Sequence, residues 1–347
     1  MKIKETIVIA ALLPLLLASC AERDRFVLIS GYAQGGTYSV KANLRGVRTP
    51  VKEITEAVDS ILTLVDTTLS GYNKSSVLSR FNAGESIVPN QLFCDIYNYC
   101  SVLYKETDGC LDVASGPLFD IWGFGFSTDS LPSEDLVRKT LATCGMSLLP
   151  SRIEPGVTLD PASMAGPGDH LPRLNFNAVA QGYTCDLVAD YLHSAGICDM
   201  LVDIGEIYCE GHNPAGTGWT IGVDRPVDGN DVPGADLDGI WSSGQRPCGI
   251  VTSGNYRKYY IRDGRKYAHT IDPRTGWPVQ HQLLSATIVA PTAAEADALA
   301  TYCMVIGLEE AREYILGRED IEGYLIYDHD GTMQEWASPA FALKESN

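Results

Sequence analysis

Val51, Ile54, Val58, Ile61, Leu62 and Val65 repeat along one stripe of a 3.6-residue period, which predicts an amphipathic helix. Pro50 sits at its first turn, where a fixed φ and a missing N–H are harmless. Leu92, Ile96, Tyr99 and Leu103 predict a second helix across Leu92 to Glu106. A third is predicted in LNFNAVAQGYTCDLVADYLHSAG. Asn177 is its cap, Val179, Tyr183, Leu187, Tyr191 and Ala195 its stripe, and Gly196 its stop. Thr292-Ala-Ala-Glu295 matches a capping box and opens a helix through about Val305. A short helix from Leu308 to Leu316 follows.

Strand-like patterns cover Phe26 to Ala42, with Gly35 and Gly36 inside it, then Met200–Cys209, Trp219–Val223, Leu284–Ala290 and Tyr324–Tyr327. The polar stretch LSGYNKSSVLSRFNAG reads as a turn, and Leu111 to Phe126 as a structured loop rich in glycine and aromatics. Ser127 to Gly168 is weakly patterned and peripheral. Val227–Gly249, rich in Gly, Asp and Pro, reads as an exposed loop or hairpin. Helices and strands mix without a βαβ rhythm, so the expected class is α+β. No internal repeat or linker divides the chain.

The N-terminus changes this picture. Lys2 and Lys4 precede an apolar run from Ile7 to Ala18, too short to span a bilayer, and Leu17-Ala18-Ser19-Cys20 follows. That pattern resembles a bacterial lipobox, in which the Cys20 thiol is lipidated and Cys20 becomes the mature N-terminus; the alternative is an ordinary secretory signal with a chance Cys. Residues 1–19 are then a signal peptide, 20–30 a tether, and 31–347 one domain. The protein is expected to be exported and lipid-anchored to a bacterial membrane, facing the periplasm.

The net charge of −18 argues against nucleic acid and against anionic membrane surfaces as partners, so membrane contact is expected through the lipid anchor only. An anionic substrate would need a local device, a metal or a few clustered cations. Of ten cysteines, nine remain after Cys20, so at least one thiol is unpaired. They lack C-x-x-C spacing and read as structural small hydrophobes.

Candidate chemistry concentrates between Val251 and Thr301. Asp297 and Thr301 stand four residues apart on one predicted helix and so share a face, offering two hard oxygen ligands for Mg²⁺. By themselves such residues are more often an exposed acid and a core-facing hydroxyl. NFNAVAQG enters a helix, whose first N–H groups favour phosphate and whose Ala180 carbonyl could bind a metal. The alternative there is a plain capped helix. His269 is a candidate proton acceptor, although a lone His is commonly structural. Arg257, Lys258, Arg262, Arg265 and Lys266 form the densest basic cluster, and Arg262 and Arg265 read as a solvated hairpin face. No G-x-G-x-x-G in strand-to-helix context and no Walker A is present, which excludes Rossmann and P-loop nucleotide sites.

From about Gly31 to the C-terminus the chain resembles the FAD:protein FMN transferase family, also called the ApbE family. The resemblance rests on seven ordered stretches: GYAQGGTYSV, LSGYNKSSVLSRFNAG, LDVASGPLFDIWGFG, NAVAQGY, VTSGNYRKYY, YAHTIDPRTGWPV and APTAAEADALAT. It implies an α+β, T-fold-related flavin-binding architecture over residues 31–347. It also implies an enzyme that uses Mg²⁺ to move FMN from FAD onto a Thr or Ser hydroxyl of a target protein, through a phosphoester bond, with release of AMP. The resemblance assigns metal binding to the Ala180 carbonyl and to Asp297 and Thr301. Flavin contact falls to Gln34, Tyr72, Asp112, Asn177, Tyr183 and Ile271, and proton acceptance to His269. Flavinylated subunits of Na⁺-pumping NADH:quinone reductase or Rnf-type complexes are the implied acceptors.

Three positions depart from the family pattern. Gln181 stands where relatives carry Lys, Asn175 where they often carry Asp, and Val-Asp203-Ile-Gly205-Glu206 is one glycine short. A Mg²⁺-dependent FAD pyrophosphatase and a non-catalytic FAD-binding lipoprotein are the competing readings. An aromatic at Tyr72 is expected to accompany transfer rather than hydrolysis.

Overall fold

The computed structural model describes residues 24–124, 131–168, 170–227, 229–230, 232, 234–256, 259–262 and 265–345. Its centre is an eight-stranded sheet made of Phe26–Ala33, Gly36–Asn43, Met200–Asp203, Ile207–Glu210, Cys248–Gly254, Leu283–Ala290, Glu322–His329 and Thr332–Ala337. These strands lie side by side in the order they occur in the chain, every neighbouring pair antiparallel. The long gaps between them in sequence hold the helices and a second sheet. The expected α+β class is therefore the observed one.

Two expected strands are hairpins. The run from Phe26 divides at Gln34 and Gly35, with φ of +50° and +84°. Two successive residues in the left-handed region suit the tight turn that matches strand twist. Met200–Cys209 divides at Gly205, φ +94°, for a related reason. The stretch read as a polar turn contains the helix Val77–Asn82, capped by the Ser76 hydroxyl, which accepts from Ser79 N–H at 2.9 Å. Helices Gly116–Ile121 and Glu134–Leu141 lie in the segments read as loop and as weakly patterned.

Alternation along the strands assigns the two faces. Val40, Ala42, Met200 and Val202 meet the helices Val51–Leu69 and Ala180–Ser194. Ala286, Ile288 and Leu325 meet Ala293–Ile306 and Leu308–Leu316. The opposite face, with Leu201, Cys209, Ile250, Val289 and Ile326, is covered by Trp219, Trp241 and Phe341. Trp241 belongs to Leu237–Ser242, the middle strand of a three-stranded sheet with Thr220–Asp224 and Leu343–Lys344. The segment read as exposed thus delivers a tryptophan that is 2% accessible. A lone six-residue strand among Gly, Asp and Pro carries too little pattern to announce itself.

Helix Gln91–Glu106 builds a further core with Val179, Phe176 and Ala298. A satellite cluster of Leu118, Trp122, Val137 and Ile271 lies apart from these cores.

Candidate functional site

The helices Ala180–Ser194 and Ala293–Ile306 touch at Gly182. A Cβ there would fall 2.2 Å from the Ala293 carbonyl oxygen and 2.8 Å from Asp297 Cβ, so only glycine permits this approach. Each helix then gives a carboxylate to the backbone of the other. Gly182 N–H donates to Asp297 Oδ2 at 3.0 Å. Ala293 and Ala294 N–H donate to Asp186 Oδ1 and Oδ2, both at 2.8 Å, satisfying free donors at the start of the second helix. Thr292 caps the same turn, its hydroxyl accepting from Glu295 N–H at 3.2 Å.

Asp297 is 4% exposed. Burial pushes its carboxyl up to about 7, against the stabilising Gly182 N–H and with added repulsion from Asp186. Among the described residues no cation acts on it. A buried carboxylate with no counter-charge is a poor ion-pair member and a ready ligand for a hard cation. Thr301 follows one turn later, and its hydroxyl is 3.4 Å from that of Ser253 on strand Cys248–Gly254.

Ala180 opens the first helix, and its carbonyl accepts from the Thr184 hydroxyl at 2.6 Å. The Thr184 oxygen in turn accepts from Gln34 Nε2 at 2.7 Å. The turn carrying Gln34 is therefore wired to the carbonyl that the resemblance implicates in metal binding. Asn177 does not cap this helix: the cap residue is Val179, without a side-chain bond, and Asn177 is exposed with its N–H on Asn175 Oδ1 at 2.9 Å. The expected stripe is also rotated, since Thr184, Cys185, Val188, Ala189 and Leu192 are the buried positions. Tight packing against two neighbours demands small residues on a face that periodicity alone does not single out.

Asn175 N–H donates to the Val113 carbonyl at 2.7 Å, bringing Asp112 against the helix entry. Asp112 accepts from Ala114 N–H at 2.8 Å and Met146 N–H at 3.0 Å, yet burial still pushes it up to about 6. Tyr183 is half-buried, its ring 6.2 Å from that of Tyr99, and burial raises its phenol to about 12. Tyr72 shows 79% of its surface. It lies in the chain between Leu69 and Leu78, which share a core with Val179 and Ala298.

His269 and Ile271 come from another part of the fold. Ile271 is buried in the satellite cluster. His269 is half-buried, with the Phe124 ring edge-on at 6.4 Å. The bonds that tie this segment to the rest include two from side chains. The Thr270 hydroxyl donates to Asn255 Oδ1 at 2.6 Å, two residues beyond Ser253, and Trp122 Nε1 donates to the Gly276 carbonyl at 2.8 Å. Strand Ile271–Asp272 also touches helix Ala293–Ile306. Thr270, next to the histidine, is thereby joined to Asn255, two residues beyond the Ser253 that faces Thr301.

Gln181 donates to the Ile204 carbonyl at 3.2 Å, and the Cys185 thiol to that of Glu206 at 3.0 Å. Both clamp the Gly205 turn onto the helix, so the substitution of a lysine-like position serves packing here. Of the basic cluster, Arg257 and Lys258 lie outside the described residues, and Arg262 opposes Arg265 in a hairpin. Cys20 also lies outside them. Among the described residues no three His, Cys, Asp or Glu side chains gather as a metal centre. Ser253 as a partner of Thr301, Thr184 and Asp186 carry no local signal in the sequence: Ser253 lies within the stretch VTSGNYRKYY, and the others act across more than 100 residues.

One buried carboxylate beside hydroxyls and a helix entry, with a histidine brought in on a separate segment, is an arrangement suited to group transfer from an anionic substrate. The ApbE family model matches residues 35–325, and the chain belongs to that family. A FAD:protein FMN transferase of Escherichia coli (strain K12) is 34% identical over 297 residues, covering 83% of this chain and 81% of that protein. The structure of the flavin transferase ApbE from Vibrio cholerae superposes with a TM-score of 0.75 at 31% identity, covering 92% of this chain and 98% of that one. The apo flavinyl transferase ApbE of Pseudomonas stutzeri gives 0.77 at 29% identity, with 93% and 97% covered.

Proposed function

We propose that this protein transfers FMN from FAD to a hydroxyl of an acceptor protein, in a magnesium-dependent reaction where the two helices cross. The observation that carries the reading is Asp297: buried, without a cationic partner among the described residues, and one helical turn before Thr301. The Asp297 carboxylate, the Thr301 hydroxyl and the Ala180 carbonyl are hard oxygen donors that fit Mg²⁺. When bound, the ion supplies charge neutralisation on the pyrophosphate of FAD. The chain's own residues do the rest. Asn177, exposed at the helix entry, contacts the FAD through its side chain. Gln34, Tyr72, Asp112, Tyr183 and Ile271 orient the flavin half. His269 takes the proton from the acceptor Ser or Thr as its oxygen forms the new phosphoester bond, and AMP departs with the electrons of the broken phosphoanhydride bond.

The lipobox supports an exported protein anchored through Cys20 and facing the periplasm. Asp24 is already held by Asn43 at 3.0 Å. The four residues after Cys20 reach at most about 14 Å, which would keep the domain close to the membrane. Membrane-bound acceptors such as subunits of Na⁺-pumping NADH:quinone reductase or Rnf-type complexes fit that placement.

The test is incubation of the protein with FAD, Mg²⁺ and a candidate acceptor protein, following acceptor mass, AMP and free FMN. A mass gain equal to FMN with equimolar AMP is expected. Free FMN and AMP without an adduct, across several acceptors, would replace transfer by FAD hydrolysis. Bound FAD without turnover would make the protein a flavin carrier.

A further inference from the structure

Cys209 and Cys248 face each other directly in the antiparallel pairing of Ile207–Glu210 with Cys248–Gly254. Opposed residues in such a pair have Cα atoms about 4.5 or 5.5 Å apart, and a disulfide bridges either distance. Both side chains leave the sheet on the face covered by Trp219 and Trp241. Their sulfurs are 3.8 Å apart. Both residues are buried, at 0% and 2% exposure. Among the described residues no other two cysteine sulfurs come within hydrogen-bonding reach. The neighbouring Arg246 guanidinium favours the thiolate form of both, against their burial.

We infer that Cys209 and Cys248 are a redox pair that closes into a cross-strand disulfide, in a chain whose N-terminal segment carries an export signal pattern. The oxidant is a small-molecule or protein disulfide. The thiolate of one cysteine attacks one sulfur of that disulfide and expels a thiolate, leaving a mixed disulfide. The other cysteine then attacks the protein sulfur of that mixed disulfide, its proton passing to solvent, and expels the second thiolate. Two protein thiols are oxidised, one external disulfide is reduced to two thiols, and no other reactant is needed. In the finished fold both sulfurs are covered, so closure belongs to folding, before Trp219 and Trp241 seal the face.

The bond would enclose the strands Thr220–Asp224 and Leu237–Ser242 in one covalent loop. It would also pin the start of Cys248–Gly254, the strand that delivers Ser253 to Thr301. The pair touches none of the residues assigned to transfer, so it acts on the stability of the frame and independently of the proposed reaction. Constraint of a long loop in the unfolded chain is the physical source of the gain.

The full chain would be denatured, reduced and refolded with a mixture of reduced and oxidised glutathione. It would then be unfolded, alkylated without reductant and mapped by peptide mass spectrometry. Peptides containing Cys209 and Cys248 are expected joined, while the remaining cysteines are alkylated, and dithiothreitol added before alkylation should separate them. The joined chain should melt several degrees above its reduced form, a difference that Cys209→Ser or Cys248→Ser removes. Complete alkylation of both residues, or Cys248 joined to another cysteine, overturns the inference. Should the serine variants not fold, mapping of the unmutated chain decides alone.

Discussion

The helix crossing at Gly182 and the segment that carries His269 hold their polar groups by opposite means. At the crossing, two carboxylates are fixed by backbone N–H groups of the facing helix, and no side-chain freedom remains. The histidine instead stands on a segment packed into a satellite cluster of aromatics. Bonds that tie that segment in include Thr270 to Asn255 and Trp122 to the Gly276 carbonyl. On the proposed assignment the first region handles the pyrophosphate of FAD, where a fixed geometry helps, and the second receives the acceptor, where a peripheral support leaves room. The difference teaches that in this fold the buried carboxylates belong to the core, and the histidine to an appendage.

The largest effect should follow from removing charge at the crossing. Asp297→Asn keeps an acceptor for Gly182 N–H but loses the anion, and FMN transfer should fall by roughly 10³-fold or more while the melting curve persists. Appreciable activity in that variant would detach the carboxylate from the reaction. His269→Ala should slow transfer to the acceptor by about 10²-fold. FAD affinity, read by flavin fluorescence, should stay unchanged, because the appendage is separable from the core. Loss of the fold instead would make that histidine structural and erase the contrast.

A smaller effect is expected between the two regions. Thr184→Val breaks the path from Gln34 to the Ala180 carbonyl. Affinity for Mn²⁺ as a spectroscopic substitute should weaken about tenfold, as for other groups that orient a metal ligand. Unchanged Mn²⁺ affinity would show that the carbonyl needs no such support.

The smallest effect is on stability against pH without metal. Burial raises Asp297 to about 7, and Asp112 and Asp186 to about 6, from an ordinary 3.8. A carboxyl raised on folding contributes stability below its unfolded value and loses it as pH rises through the folded one. The metal-free protein should therefore melt a few degrees lower at pH 8 than at pH 5, and Asp297→Asn should flatten the part of that slope nearest pH 7. A melting temperature that rises over this window would contradict the buried, unpaired carboxylates.

Much of this molecule was determined locally. The Thr292 cap, the helices Val51–Leu69, Gln91–Glu106 and Leu308–Leu316, and the shared face of Asp297 and Thr301 follow from periodicity and capping chemistry, which involve residues within one or two turns. Irregular alternation of helical and strand patterns was enough for the α+β class, and the ordered stretches quoted above for the family. Tertiary structure decided what those patterns cannot hold. It buried Asp297, because Gly182 and Asp186 come from a helix more than 100 residues earlier. It turned the Ala180 helix to place Thr184 and Cys185 inward, buried Trp241, and brought Thr270 to Asn255. Burial and long-range hydrogen bonds depend on which partner arrives from elsewhere in the chain. A sequence window shows only the residue that waits for it.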